Sequence, residues 1–202
     1  LVLICFFSVE NDFDLIIVGS GPAGLGAAFE VLLRAPKTSV LVVDRNEFSS
    51  GGLRNDCKMN FTWPIGFPEI CWTKDQAETY LDRVEAFLSP RILEKKNVDV
   101  YRKRAEKLGV SLLSIRQTHL GTDGGLELIK GLTLKLKALG AELSLGEMML
   151  DIDMERKTAI TDRRELRYRD LILAPGRGGF AFLQNIMNKA GIAYRDNVVD
   201  IG

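Results

Sequence analysis

Residues 13–18, Phe-Asp-Leu-Ile-Ile-Val, form a short β-branched apolar run that stops at a glycine, the pattern of a strand buried on both faces of a parallel sheet. From Pro22 the period changes. Leu25, Ala28, Phe29 and Leu32 recur at i, i+3, i+4 and i+7, and Pro36 closes the segment, so a helix of about three turns follows the strand. Residues 39–43 read as a second buried strand ending at Asp44, and 13–44 together make one β-α-β unit. At its first corner stands Gly19-Ser20-Gly21-Pro22-Ala23-Gly24, a match to G-x-G-x-x-G. With 19 glycines in 202 residues the bare pattern arises somewhere by chance about once in six such chains, so context has to decide. Here the motif begins where a buried strand ends and opens a helix with Pro22 at its first position. Asp44 then follows 20 positions after Gly24. These are the three contextual requirements of a dinucleotide-binding turn.

The chemistry explains the residue types. Gly19 permits the tight strand-to-helix turn, Gly21 lets backbone approach a pyrophosphate with no Cβ in the way, and Gly24 lets the helix pack closely on the strand. The unpaired N–H groups and positive dipole end of the helix favour phosphate. Asp44 is placed to accept hydrogen bonds from ribose hydroxyls. A 2′-phosphate would be repelled there, because Arg45 comes too late to neutralise Asp44 fully, so NADP is disfavoured. The competing reading is a tight turn in an α/β sheet that binds nothing.

Further along, 46–68 carries Ser49-Ser50-Gly51-Gly52 and two prolines with no sustained period, and reads as a long functional loop. Thr73 and Gln76 have capping-box spacing before a helix whose stripe is Ala77, Tyr80, Leu81, Val84 and Leu88. Val98, Tyr101, Ala105 and Leu108 predict a second helix closed by Gly109, and 110–115 reads as a strand. Thr122 or Asp123 can cap a third helix through Leu128, Leu132, Leu136 and Leu139, ended by Gly140, with a strand at 142–145. Short alternating segments at 148–154, 158–161 and 165–168 predict a small antiparallel meander. The run 171–174 is another buried strand, delivering Pro175-Gly176. The expected fold is a three-layer α/β, Rossmann-like nucleotide-binding domain over 13–202, after a tail at 1–12. Its parallel sheet has the first strand at the centre, with a small meander over one face and a helical insertion at about 50–118.

Composition removes other classes. Lys+Arg 27 against Asp+Glu 27 gives no electrostatic reason for a nucleic-acid or membrane-surface partner. The apolar stretch 1–7 is too short to span a bilayer and has no basic residues before it, so a cytoplasmic protein is the default expectation. Cys5, Cys57 and Cys71 are an odd number without a C-x-x-C pair, which argues against a disulfide framework and against a metal site.

Residues 14–28 followed by Leu41-Val42-Val43-Asp44-Arg45 resemble the amino-terminal segment of FAD-dependent oxidoreductases of the two-dinucleotide-binding-domain, glutathione-reductase-like type. Gly51-Gly52 with Asn55-Asp56-Cys57-Lys58-Met59-Asn60 is similar to the G-G-x-x-S-D-G-K-L-N stretch of a group of uncharacterised FAD-dependent, NAD-utilising dehydrogenases. Cys57 stands where that group tends to carry glycine. His119-Leu120-Gly121-Thr122-Asp123 resembles the group's H-x-G-T-D. Leu173-Ala174-Pro175-Gly176 resembles its A-x-G, with Pro175 in the middle position. The resemblance covers nearly all of 12–202. It implies FAD at the Gly19 turn, with Asp44 on the ribose, Gly51 and Gly52 near the pyrophosphate, and Asp56, Ala174 and Gly176 among the cofactor contacts. NAD(P)H is one candidate electron donor. It further implies that the chain continues past 200–202 into a substrate-facing domain, so a missing carboxyl-terminal half or a partner chain is expected to complete a small-molecule site.

The sequence leaves the catalytic residue unknown, with His119 and Lys58 as candidates. His119, the only histidine, could donate a proton near a flavin, against the plainer reading of a loop histidine that satisfies backbone groups. Lys58 could place a positive charge by the flavin or a substrate carboxylate, or simply lie in solvent. Cys57 and Cys71 lack the spacing of a redox pair. The charges at 102–107 read as the wet face of a helix, and Trp63 and Trp72 as satellite core. Gly176-Arg177-Gly178-Gly179 has the wrong spacing for a second dinucleotide motif. Two other classes stay open: an NAD-binding dehydrogenase or reductase, and a non-catalytic dinucleotide-binding fragment.

Overall fold

A computed structural model of the chain describes residues 12–48 and 58–196. In chain order these residues hold β1 (Phe13–Val18), α1 (Pro22–Arg34), β2 (Val40–Asp44), β3 (Lys58–Asn60), α2 (Lys74–Leu88), α3 (Val98–Lys107), β4 (Gln117–His119) and α4 (Gly121–Ala138). Then come β5 (Glu142–Leu145), β6 (Met149–Asp153), β7 (Thr158–Thr161), β8 (Glu165–Leu173), a 3-10 turn (Arg177–Gly179) and α5 (Phe180–Lys189). The chain divides into two compact units, one made of Leu1–Arg54 with Leu126–Gly202, the other of Asn55–Gly125.

The first unit is built on a six-stranded sheet of order β5-β2-β1-β8-β7-β6. The strands β5, β2, β1 and β8 run parallel, and β8, β7 and β6 continue antiparallel. Alternation along β1 divides its side chains between the two faces. Ile16 and Val18 join Leu41, Val43, Met149, Ile152, Ala159, Leu166, Tyr168 and Ile186 in one buried cluster, so meander and α5 share a core with one face of the parallel strands. On the other face, α1 buries Leu25, Ala28, Phe29 and Leu32 as its period requires, and Gly24 lies against the Ile17 side chain. Each buried leucine or phenylalanine of this stripe stabilises the fold by roughly 1.5–3 kcal/mol. The result is a three-layer α/β, Rossmann-like domain.

Two sequence readings, one in β8 and one at the start of α4, need correction. The segments 165–168 and 171–174 are one continuous strand, β8. Arg169-Asp170 looks like a charged turn, yet Asp170 pairs with Leu15 in the ladder while Arg169 bonds Asp14 at 2.9 Å. Neither Thr122 nor Asp123 caps α4, which already begins at Gly121, leaving both inside its first turn. At the junction of β5 and β6, Glu147 is 1% exposed and accepts from Arg164 Nε at 3.1 Å, Arg164 Nη2 at 3.2 Å and the Ser144 hydroxyl. Arg164 also reaches Glu142 at 3.1 Å.

In the second unit β3 and β4 form a two-stranded antiparallel ladder. It is extended by the Phe61 N–H donating to the Arg116 carbonyl at 2.8 Å. Thr73 and Gln76 make the expected capping box on α2. Its stripe is only partly inside, because Ala77 and Leu81 are buried while Tyr80 and Val84 are exposed. Helix α3 buries none of its residues. Gly109, at φ 69°, closes it as read. Residues 110–115 are not a strand: they have no ladder partner among the described residues, and Val110 and Leu113 are exposed. Trp63, Phe67, Trp72 and Tyr80 make a chain of ring contacts, two of them edge-to-face at 5.3 and 5.1 Å, a satellite cluster as expected.

Candidate functional site

The register of the parallel strands brings three chain segments to one edge of the sheet. Val18 is opposite Val43 on one side and Leu173 on the other, so Gly19, Asp44 and Ala174 all emerge together at the carboxyl ends of β1, β2 and β8. Ligands of open α/β sheets bind at such an edge. The Gly19 N–H donates to the Val43 carbonyl at 2.7 Å and the Ala174 N–H to the Val18 carbonyl at 2.8 Å, which fixes the three ends on one another. Gly19 has φ 104°, and a Cβ built on it would overlap the Ala174 carbonyl oxygen; one built on Gly24 would overlap the Gly19 carbonyl oxygen. Both positions are closed to any side chain by neighbouring backbone.

Gly21 differs from them. It is the N-cap of α1 in ordinary extended geometry, φ −73° and ψ −177°, and supplies no side-chain hydrogen bond to the helix. Pro22 is the first helical residue, Pro22 and Ala23 are exposed, and the first turn contains no acidic residue. The opening N–H groups of an α-helix have no acceptor within the helix, so this end presents donors and a positive dipole end with no carboxylate of its own first turn against them.

Asp44 is half-buried at the end of β2 and bonded directly to the glycine turn. Its Oδ2 accepts from the Ser20 N–H and the Ser20 hydroxyl, both at 2.8 Å. Its Oδ1 accepts from the Asn46 N–H at 2.9 Å and from Asn46 Nδ2 at 3.0 Å. Asn46 was not singled out in the sequence, although Asp44-Arg45-Asn46 carries the signal of an Asx-turn, a carboxylate accepting the N–H two residues on. Arg45 is exposed, and its guanidinium lies so close to Gly178 that a Cβ there would overlap Nη2. Gly176 is exposed at φ 65° and leads into the 3-10 turn.

The structure therefore brings Gly19, Ser20, Gly21, Pro22, Ala23, Gly24, Asp44, Arg45, Ala174 and Gly176 to one end of the sheet. Gly51, Gly52, Asp56 and Cys57 lie outside the described residues. In the second unit Lys58 and His119 are direct cross-strand partners of the β3–β4 ladder, both exposed, with side chains on the same side of it. Cys71 is an exposed free thiol. Among the described residues no group of His, Cys, Asp and Glu could hold a metal ion, and no helix is long and apolar enough to cross a membrane.

No protein-family model matches the chain. Over 105 residues, 51% of this chain and 23% of the relative, it is 32% identical to one of the subunits of the anaerobic glycerol-3-phosphate dehydrogenase from Aliivibrio fischeri (strain MJ11). Glycine oxidase from Geobacillus kaustophilus superposes with a TM-score of 0.57 at 14% identity, covering 91% of this chain and 60% of that one. L-proline dehydrogenase from P. horikoshii superposes at 0.53 and 15% identity, covering 93% and 58%. The chain thus spans about a quarter of the curated relative and about three fifths of each structure. It has the fold of these oxidases and dehydrogenases.

Proposed function

We propose that the shared end of β1, β2 and β8 binds an adenine dinucleotide, that this dinucleotide is FAD, and that the polypeptide is an FAD-dependent oxidoreductase acting on a small molecule. The observation that carries the reading is the meeting, at one sheet edge, of an uncapped helix N-terminus with a carboxylate fastened to the same glycine turn. The residues fit the group. The first-turn N–H groups beyond Gly21 suit a diphosphate, Asp44 suits the adenosine ribose, and Arg45 adds a cation at the rim. FAD rather than NAD is supported by the sequence resemblance at Gly51, Gly52 and Asp56 and by the likeness to oxidase structures.

A bound flavin supplies the hydride chemistry itself, and the chain's part is to bind, orient and shield it. NAD(P)H is proposed as the electron donor. Lys58 and His119, cross-strand partners in their ladder, are proposed as the catalytic candidates, Lys58 as a positive charge for an anionic group of the substrate and His119 as a group able to hold or pass a proton. We read 13–202 as one binding domain interrupted by an insertion at about 50–118, completed by a further domain or a partner chain. The odd cysteine count without a C-x-x-C pair suits a reducing, cytoplasmic setting.

Absorbance at about 450 nm and calorimetric titration with FAD, NAD and NADP test this reading. A yellow protein that binds FAD most tightly and NADP least is expected. A colourless chain that takes NAD but not FAD overturns the flavin, and NADP binding as tight as that of NAD overturns the role of Asp44.

A further inference from the structure

Each oxygen of Asp44 already accepts two hydrogen bonds, Oδ2 from the Ser20 N–H and hydroxyl and Oδ1 from the Asn46 N–H and side-chain amide. An ionised carboxylate offers about four lone-pair positions, so the protein fills them all with its own donors. A ribose that is to be held through its vicinal hydroxyls needs two of those positions. The two backbone donors belong to the glycine turn and the Asx-turn and cannot leave without breaking both. The hydroxyl of Ser20 and the amide of Asn46 can leave by rotation about side-chain bonds alone.

We propose that Ser20 and Asn46 act as an internal stand-in for the ribose diol, occupying the recognition positions of Asp44 until an adenine nucleotide displaces them. The proposal rests on the dinucleotide reading of this site and adds a specificity device to it. The stand-in keeps a half-buried carboxylate satisfied in the ligand-free chain, where an unpaired charge would be costly. It also lowers the gain from ribose recognition, since each new hydrogen bond replaces one already made. Ser20 is itself buried, so its displaced hydroxyl must find another acceptor, and that cost falls only on ligands that carry the diol.

The consequence has a sign opposite to that of a residue that positions Asp44. Removing either side-chain donor should strengthen recognition of the diol. ADP and 2′,3′-dideoxy-ADP, titrated calorimetrically into the full chain, isolate this, because they differ only in the two hydroxyls. The expected result is that the preference for ADP over the dideoxy compound rises roughly three- to tenfold in Ser20→Ala and again in Asn46→Ala, the scale of one net hydrogen bond. A loop that had merely shifted would change both affinities alike and leave the ratio where it was. An unchanged or smaller ratio in folded variants, or loss of binding of both nucleotides, overturns the proposal and makes the two residues positioning groups. Either variant alone decides the matter if the other fails to fold. Asp44→Asn separates this from failure of the site itself. If the wild-type chain binds neither nucleotide, or Asp44→Asn leaves the ratio unaltered, the dinucleotide reading falls. If Asp44→Asn abolishes the preference while Ser20→Ala and Asn46→Ala do not raise it, only the stand-in falls.

Discussion

Helix α1 and helix α3 both carry an apolar stripe at helical spacing, and their fates differ. In α1 every residue of the stripe is buried, and one of them lies beside Gly24, which touches the strand it packs on. In α3 none is buried, and Leu108 just beyond it is 80% exposed. The periodicity is comparable; what differs is that α1 is joined by tight turns to two strands of one parallel sheet, whereas α3 is flanked by irregular chain. A helical period therefore predicts that a helix forms and says little about whether its apolar face finds a partner.

The contrast can be broken by substitution. Its largest expected effect is at Gly24, where a Cβ meets the Gly19 carbonyl: Gly24→Ala should cost about 3–5 kcal/mol in urea denaturation. Gly26→Ala, in the same helix with open space around it, should stabilise by up to about 1 kcal/mol. A small loss at Gly24 would show that the turn is not tightly packed. Next, Ile17→Ala, at 0% exposure, should cost about 2–5 kcal/mol by the same measurement. Leu108→Ala should stay within about 0.5 kcal/mol, and a cost above about 1 kcal/mol there would mean the α3 region is better packed than its exposure indicates.

Glu147 offers a pH handle confined to the sheet unit. Burial pushes its carboxyl up, but hydrogen bonds from Arg164, Ser144 and Thr161 and the Arg164 charge outweigh it and hold it below the ordinary range. A value lowered on folding means that this stability is fully present above about pH 4.3 and is lost as the pH falls through the lowered value. Denaturation midpoints measured from pH 7 down to 3 should fall, and Glu147→Gln should flatten that decline. In the other unit, Thr73→Ala removes one half of the capping box of α2 and should cost about 1 kcal/mol.

Much of the β1-α1-β2 unit was legible because everything that forms it is local: a buried run, a glycine turn, a periodic stripe and an acid at the next strand end. The meander was legible in pieces. Arg169 and Asp170 disguised the continuity of β8, since two adjacent charges signal a turn unless a distant residue such as Asp14 is there to pair with one of them. The strand expected at 110–115 had the right composition but finds no ladder partner among the described residues. In the candidate site, the glycine positions and Asp44 could be read from spacing, and Asn46 could have been read from its Asx-turn offset. The juxtaposition of Lys58 with His119 could not, because it depends on a three-residue ladder between segments far apart in sequence.

Strand β1 lies between β2, which follows it at once, and β8, which does not: Asp14 and its partner Arg169 are 155 residues apart. At roughly 5–20 residues per second, ribosomal synthesis takes about 8–30 s to cover that interval. Throughout it the Leu-Ile-Ile-Val edge of β1 has no mate, while a hairpin forms in about 1–10 μs once its strands are present. The same closure that assembles the glycine turn against Ala174 is thus the slowest to become available during biosynthesis. Throughout that interval the nascent chain carries an open apolar edge, and that edge is where a chaperone, or an unwanted second chain, has its opportunity.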